Sequence, residues 1–167
     1  MDKIVFITGA SSGIGAGCAR KFASQGASLI LNARNVNKLS ALKEELEKQY
    51  GAKIYLLPFD VRDRKAATSA LESLPKEWQS IDILVNNAGL VIGTDKEQEG
   101  SLDEWDIVID TNIKALLAMT RLIVPGMVER KRGHIINIGS IAGDAAYPGG
   151  SVYLSLIHIS EPTRLRR

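Results

Sequence analysis

"KIVFITGASSGIG", Lys3 to Gly15, carries the two signals that decide the fold. Its first part, "KIVFIT", is a short, continuous apolar run rich in β-branched residues. That is the pattern of a strand buried on both faces. Its second part, "TGASSGIG" from Thr8 to Gly15, sets glycines 9, 13 and 15 between that strand and a helix. Such a turn needs residues without a Cβ so that the backbone can approach a pyrophosphate, and the helix behind it offers free N–H groups to the anion. Alone, a glycine-rich turn is a weak signal, with a tight turn that holds no ligand as the minority alternative. Its place at the first crossover is the context that a dinucleotide motif requires. The spacing, Gly-x-x-x-Gly-x-Gly, differs from the commoner Gly-x-Gly-x-x-Gly.

Outward from this stretch, two periodicities alternate along the chain. "GIGAGCARKFASQG" has helical spacing and ends at Gly26, "ASLILNA" reads as a second strand, and "VNKLSALKEELEKQYG" is an amphipathic helix ending at Gly51. "AKIYLLPFD" and "RKAATSALESL" repeat the pair, and "IDILVNNAG" is a fourth strand with a polar end. "SLDEWDIVIDTNIKALLAMTRLIVPGMVERK" is a long, bent helical stretch, and "GHIINIGS" is a fifth strand. Strand and helix alternate about five times, which predicts an α/β fold: a doubly wound parallel sheet with right-handed crossovers and helices on both faces. No repeat, low-complexity tract or linker interrupts it before residue 153.

Composition sets the outer bounds. At 167 residues, 45% hydrophobic and 24% charged, the chain suits one globular domain with a real core. A net charge of +2, with basic residues scattered among acidic ones, gives no expectation of nucleic acid as a partner. Arg130-Lys131-Arg132 and the terminal Arg-Leu-Arg-Arg read as solvated faces or ends. Cys18 is the single cysteine, which excludes an internal disulfide and suits a reducing compartment. "MDKIVFITG" runs straight into a strand and no apolar run has membrane-spanning length, so a cytoplasmic location without signal peptide or membrane contact is expected.

In such a sheet, ligands sit at the carboxyl ends of the strands. After the second strand come Asn32, Ala33 and Arg34, with no acid to hold ribose hydroxyls. A carboxylate would repel a ribose 2′-phosphate, whereas a guanidinium can grip it through forked, charge-assisted bonds. This favours NADP over NAD, against the blander reading of Arg34 as a solvated surface residue. After the third strand, Asp60 and Val61 could meet an adenine edge, although an Asp that starts a turn and caps a helix is common. After the fourth, the "NNAG" amides, Asn86 and Asn87, could tie down loops or hold the adenosine ribose and a neighbouring strand.

"TGASSGIG", "NNAG", the Asn of "DTNIKAL", the Ser ending "IINIGS" and a Tyr thirteen residues later together resemble the short-chain dehydrogenase/reductase family, over residues 3 to 153. "LPKEW", "IDILVNNAGL", "PGMVER" and "GHIINIGSIAG" look most like its NADP-dependent 3-hydroxy acid dehydrogenases, which act on serine, allo-threonine and similar acids. The resemblance implies a Rossmann sheet and a catalytic set of Asn112, Ser140 and Tyr153. Tyr153 would exchange a proton with the substrate oxygen. Ser140 would hydrogen-bond that oxygen, and Asn112 would bend its helix and hold a water that feeds protons to the site. Cofactor contacts would fall on Gly9, Ser11, Ser12, Gly13, Ile14, Gly15, Arg34, Asp60, Val61 and Asn87, and no metal is implied. A small-molecule substrate and a homo-oligomer pairing through the helix of Asn112 and the helix near Tyr153 are expected. His134, Trp78 and Trp105 read as structural, the tryptophans as anchors of helices to the sheet.

The tail departs from the family. A Lys is required four residues after the Tyr, one helical turn on and on the same face, and Ile157 stands there. A free tyrosine titrates at about pH 10. In the family the lysine charge favours the tyrosinate and its ammonium grips the nicotinamide ribose, and isoleucine does neither. "LSLIHISEPTR", Leu154 to Arg164, resembles the in-frame translation of a transposase-end sequencing adapter. Residues 1–153 are therefore expected to be an enzyme truncated after about five strands, with 154–167 a non-native tail that is apolar and low in charge from Leu154 to Ile159. Two other readings stay open: a reductase of bulkier 3-keto acyl or sphingoid compounds, and a non-catalytic NADP sensor that truly lacks the lysine.

Overall fold

The computed structural model describes residues 3–92, 96–143 and 151–160. Five parallel strands, β1 (Ile4–Ile7), β2 (Ser28–Leu31), β3 (Ile54–Leu56), β4 (Ile83–Asn86) and β5 (His134–Asn137), lie in the order β3-β2-β1-β4-β5. The chain winds outward from β1 to β3, then crosses back to β4 on the other side of β1. That reversal leaves a crevice beyond the carboxyl ends of β1 and β4. The doubly wound parallel sheet is as the periodicity predicts.

The register explains why the strands read as unbroken apolar runs. Successive side chains point to opposite faces, and both faces are covered. Val5, Ile7, Leu29, Leu31, Ile83 and Val85 pack on one side with Ala19 of α1 (Gly13–Ala23) and with Leu39 and Leu46 of α2 (Val36–Tyr50). Phe6, Ile30 and Leu84 pack on the other with Ala67 of α3 (Arg64–Glu72) and with Met119, Ile123 and Met127 of α5 (Ala115–Glu129). Phe6, Ile30 and Leu84 are fully buried, and truncating such a side chain to Ala removes about 2–5 kcal/mol.

Local chemistry sets the helix ends. Asn35 Oδ1 accepts from the Lys38 N–H at 3.0 Å, and Asp63 Oδ1 accepts from the Lys65 and Ala66 N–H groups at 3.0 Å each, capping α2 and α3. Gly51, with φ +63°, closes α2. Helix α1 ends at Ala23, earlier than its periodicity suggests. Gly26 then takes φ +78° and donates to the Ala23 carbonyl while Ala27 donates to that of Phe22. This is the paired closure of a Schellman motif, so Gly26 does end the helix, as the residue beyond its cap.

The long helical stretch resolves into α4 (Leu102–Ile109), a π turn at Asp110–Lys114 and α5. That π turn holds Asn112 and interrupts the regular ladder, and Pro125 lies inside α5. Trp78 anchors as expected, against Tyr55 of β3 with ring centroids 5.6 Å apart. The Trp105 indole lies over Gly100, where a Cβ would come within 2.5 Å of the ring. Ser151–Ser160 form a helix, α6, that runs from the last family-like residues into the tail, with Leu156 buried. Residues 161–167, including the rest of the adapter-like stretch, lie outside the described residues, as does the side chain of Ile157. Among the described residues no helix is long and apolar enough to cross a membrane.

Candidate active site and cofactor cleft

The carboxyl ends of β1 and β4 are stitched together by side chains rather than by the sheet alone. Thr8 Oγ1 donates to the Val85 carbonyl at 3.3 Å and accepts from the Asn87 and Ala88 N–H groups, each at 3.0 Å. In return, Asn87 Nδ2 donates to the Thr8 and Gly9 carbonyls at 2.9 and 3.1 Å. Asn87 thus ties the first turn to the fourth strand end, the loop-holding half of its expected role. Asn86 does likewise on the other side, donating from Nδ2 to Thr120 Oγ1 at 3.0 Å and to Asn137 Oδ1 at 2.9 Å.

The glycines divide by purpose. A Cβ on Gly9 would come within 2.9 Å of Ala88 Cα and Asn87 Nδ2, and one on Gly15 would strike the Gly9 carbonyl and lie 2.5 Å from Asn87 Nδ2. Those two are small so that turn, helix and β4 can pack, a steric requirement beside the expected approach of a ligand. Only Gly13, with φ +52° and nothing within 4 Å of its Cβ position, leaves room for a ligand. Ser12 sits at the N-cap of α1 in extended conformation and makes no side-chain cap bond. Among the described residues no side chain caps the first N–H groups of α1, which suits them to an anion, unlike those of α2 and α3.

A cleft of about 930 Å³ runs from this turn across the sheet edge. Gly9, Ser11, Ser12 and Ile14 line it at the first turn, and Arg34, Asp60 and Val61 line its far end. Asn87, Asn112 and Tyr153 line the near side. Gly13, Gly15 and Ser140 are not among the lining residues, although Gly13 and Gly15 flank the lining Ile14 and Ser140 follows the lining Gly139. Ten of the thirteen expected residues thus share one cavity. Tyr153 is half-buried on α6, which packs against the short turn Ile141–Gly143 and α4. Ser140 Oγ accepts from the Ala142 N–H at 3.2 Å, which leaves its own proton free to donate.

Asn112 is committed more firmly than expected. Its Oδ1 accepts from the Leu90 N–H at 2.9 Å and its Nδ2 donates to the Leu90 carbonyl at 2.8 Å. The buried side chain fixes the loop after β4, so a water held by this residue would meet its backbone. A π turn disturbs the i→i−4 ladder and sets such backbone carbonyls out of series.

At the far end, three residues escape sequence reading. Asn32 is fully buried; its Nδ2 donates to the Leu57 and Phe59 carbonyls, while its Oδ1 has no partner among the described residues. Arg62 forks onto Asp60, with Nη2 to Oδ2 at 2.7 Å and Nε to Oδ1 at 3.1 Å. Its bonds, opposed by partial burial and helped by its backbone N–H and by the charges of Arg62 and Arg34, hold the Asp60 carboxyl below its ordinary pKa. Lys38 lines the same end. The spacing Asp-x-Arg at 60–62 was the available signal for Arg62; nothing in the sequence marks the orphaned Asn32 oxygen. An unpartnered buried acceptor, an open left-handed glycine, uncapped helix N–H groups and cations beside one acid together fit a phosphorylated dinucleotide. Among the described residues no three of His, Cys, Asp or Glu gather as metal ligands would.

A family profile described as short chain dehydrogenase matches residues 3–155. The chain belongs to that family. It is 49% identical over 150 residues to an NADP-dependent 3-hydroxy acid dehydrogenase of Escherichia coli O6:H1, covering 90% of this chain and 59% of that protein. A protein of the same description from Schizosaccharomyces pombe is 44% identical over 154 residues, covering 92% of this chain and 60% of that one. Among solved structures, a serine dehydrogenase from Escherichia coli superposes with TM-score 0.88 at 47% identity, covering 93% of this chain and 70% of that chain. A closed form of serine dehydrogenase complexed with NADP+ gives 0.86 at 46% identity, covering 93% of this chain and 61% of that chain. The short-chain dehydrogenase chain thus spans about 59% of the length of the curated relatives it matches.

Proposed function

We propose that residues 1–153 are the cofactor-binding part of an NADP-dependent oxidoreductase that acts on a small 3-hydroxy acid, and that Leu154–Arg164 are foreign to it. The observation that carries the cofactor reading is the cation cluster at the end of β2, where Arg34 and Lys38 stand and no acid follows the strand. The substrate reading rests on likeness to proteins named as 3-hydroxy acid dehydrogenases.

In this reading, Asn32 and the turn around Gly13 hold the adenosine and pyrophosphate, and Arg34 holds the 2′-phosphate. Bound NADP supplies the acceptor for the hydride that leaves the carbinol carbon. Tyr153 takes the hydroxyl proton as that hydride departs, so alcohol becomes carbonyl. Ser140 donates a hydrogen bond to the same oxygen and fixes its position. Asn112 keeps the loop at Leu90 against the cleft. In the complete enzyme a lysine at position 157 assists Tyr153, and subunits pair through the α4–α5 stretch that holds Asn112 and through the helix that starts near Tyr153.

Two experiments test this. Sequencing the source DNA past codon 153 should reveal a frame running Tyr-x-x-x-Lys; an authentic Ile157 favours the sensor instead. The completed enzyme, assayed with NADP on a panel containing serine and 3-hydroxypropionate, should oxidise such acids. Reaction with long acyl or sphingoid ketones alone would replace the small-acid reading.

A further inference from the structure

The cations at the far end of the cleft share one acid. Asp60 Oδ2 lies 2.7 Å from Arg62 Nη2 and 3.8 Å from Arg34 Nη1. Arg62 also donates to Oδ1 through its backbone N–H at 3.0 Å, and from Nε to both oxygens at 3.1 and 3.2 Å. Both members of this pair are two-thirds or more shielded, with side chains 31% and 29% exposed. The carboxylate's charge and most of its lone pairs are therefore spent on Arg62. Arg34 is 68% exposed and meets the same carboxylate only at the limit of an ion pair. An exposed pair at that range holds weakly, so Arg34 is free to turn into the cleft. The other acid whose charge bears on Arg62, Asp110, is itself paired with Lys114 at 2.7 Å.

We infer that Arg62 is a specificity-determining residue for the adenosine end of the cofactor. By neutralising Asp60, it keeps Arg34 and Lys38 available to a phosphate on the ribose 2′ position. Without it, Asp60 would turn to its remaining cation, Arg34, and present an uncompensated negative charge to the phosphate. The inference rests on the NADP reading above and assigns its selectivity to a residue that need not touch the phosphate.

The test uses the 167-residue chain with two probes that engage only the adenosine end: adenosine 2′,5′-bisphosphate and adenosine 5′-monophosphate. Dissociation constants are measured by calorimetry, and far-UV circular dichroism follows each variant. The readout is the ratio of the two affinities. Arg62→Gln should lower the preference for the bisphosphate on the order of tenfold, the scale of a lost charge-assisted contact. Asp60→Asn breaks the same ion pair, yet should hold the preference or raise it, because the acid is gone. The double variant should return to within about threefold of the unmodified ratio. A purely structural role predicts that both single variants fall together, and that result would overturn the inference. If Arg62→Gln does not fold, the directions shown by Asp60→Asn and the double variant decide. An unmodified chain that is folded by circular dichroism and binds both probes without preference removes the NADP reading and this inference with it. A preference that survives Arg62→Gln removes this inference alone.

Discussion

Arg34 shows how much a single residue can disclose through its position in the chain. Its place after β2 follows from counting along an apolar run, and its charge excludes the acid that would repel a 2′-phosphate. The structure sets it at the cleft with Lys38 and 3.8 Å from Asp60. In the completed enzyme, Arg34→Asp should reverse the preference from NADP to NAD, since it replaces a phosphate clamp with a like charge. Dissociation constants for both cofactors check this, and equal affinities before mutation would refute the assignment. Tyr153→Phe should abolish turnover while NADPH binding stays nearly intact, because it removes a proton donor and little volume. More than about a hundredth of the activity remaining would exclude Tyr153 as acid and base. Arg62 and Asn32 are harder to read because their meaning lies in partners. One matters through a carboxylate two residues away, the other through an oxygen that finds no donor among the described residues.

At the scale of elements, β1, β2, β4 and α2 are legible because burial on two faces and a left-handed Gly51 leave direct marks in sequence. The π turn was legible only as a bend. One extra residue in a helical turn changes hydrogen-bond partners without changing composition, so its location at Asp110–Lys114 needs coordinates. The glycine-rich turn is legible as a motif, whereas the packing role of Gly9 and Gly15 needs coordinates. Gly15→Ala should destabilise the fold by about 1–3 kcal/mol, the usual cost of overpacking, since its Cβ meets Gly9 and Asn87. Gly13→Ala has space but a strained φ, and should cost about 1–2 kcal/mol. It should weaken phosphate binding little more than its strain implies. Thermal melts of the two variants, with cofactor titration, separate packing from ligand approach; equal clashes at both sites would contradict the division. Asn112→Ala strands the N–H and carbonyl of Leu90, a loss of about 1–3 kcal/mol if water does not replace the amide. The expected sign is a lower melting temperature with a more protease-sensitive loop after β4. An unchanged melt and digestion pattern would mean the Leu90 contacts carry no weight.

For the molecule as a whole, the sheet is unevenly covered. β1 and β4 are almost entirely buried, whereas β5 reads exposed, exposed, intermediate, exposed along its four residues. Among the described residues β5 pairs only with β4, through His134 to Asn137, so its outer N–H and C=O groups face no strand. Ile135 is 39% exposed there, and α4 and α5 expose Leu102 at 71%, Leu117 at 60% and Val128 at 68%. An uncharged edge with apolar neighbours is a template for pairing between chains. The helix α6 covers the turn after β5 and buries Leu156, but it is not a strand and satisfies no edge hydrogen bond. The 167-residue chain should therefore self-associate as concentration rises, melt with poor cooperativity and show no dehydrogenase turnover. Ile135→Lys places a charge on the exposed strand and should suppress that association, because a second chain would have to bury the ammonium to pair. Light scattering across a concentration series, for the unmodified chain and the variant, reads this directly. Association that Ile135→Lys leaves untouched would move the sticky surface from the β5 edge to the α4–α5 face. A monomer with a sharp melt and NADPH turnover would show that this chain needs neither a covered edge nor a lysine after Tyr153.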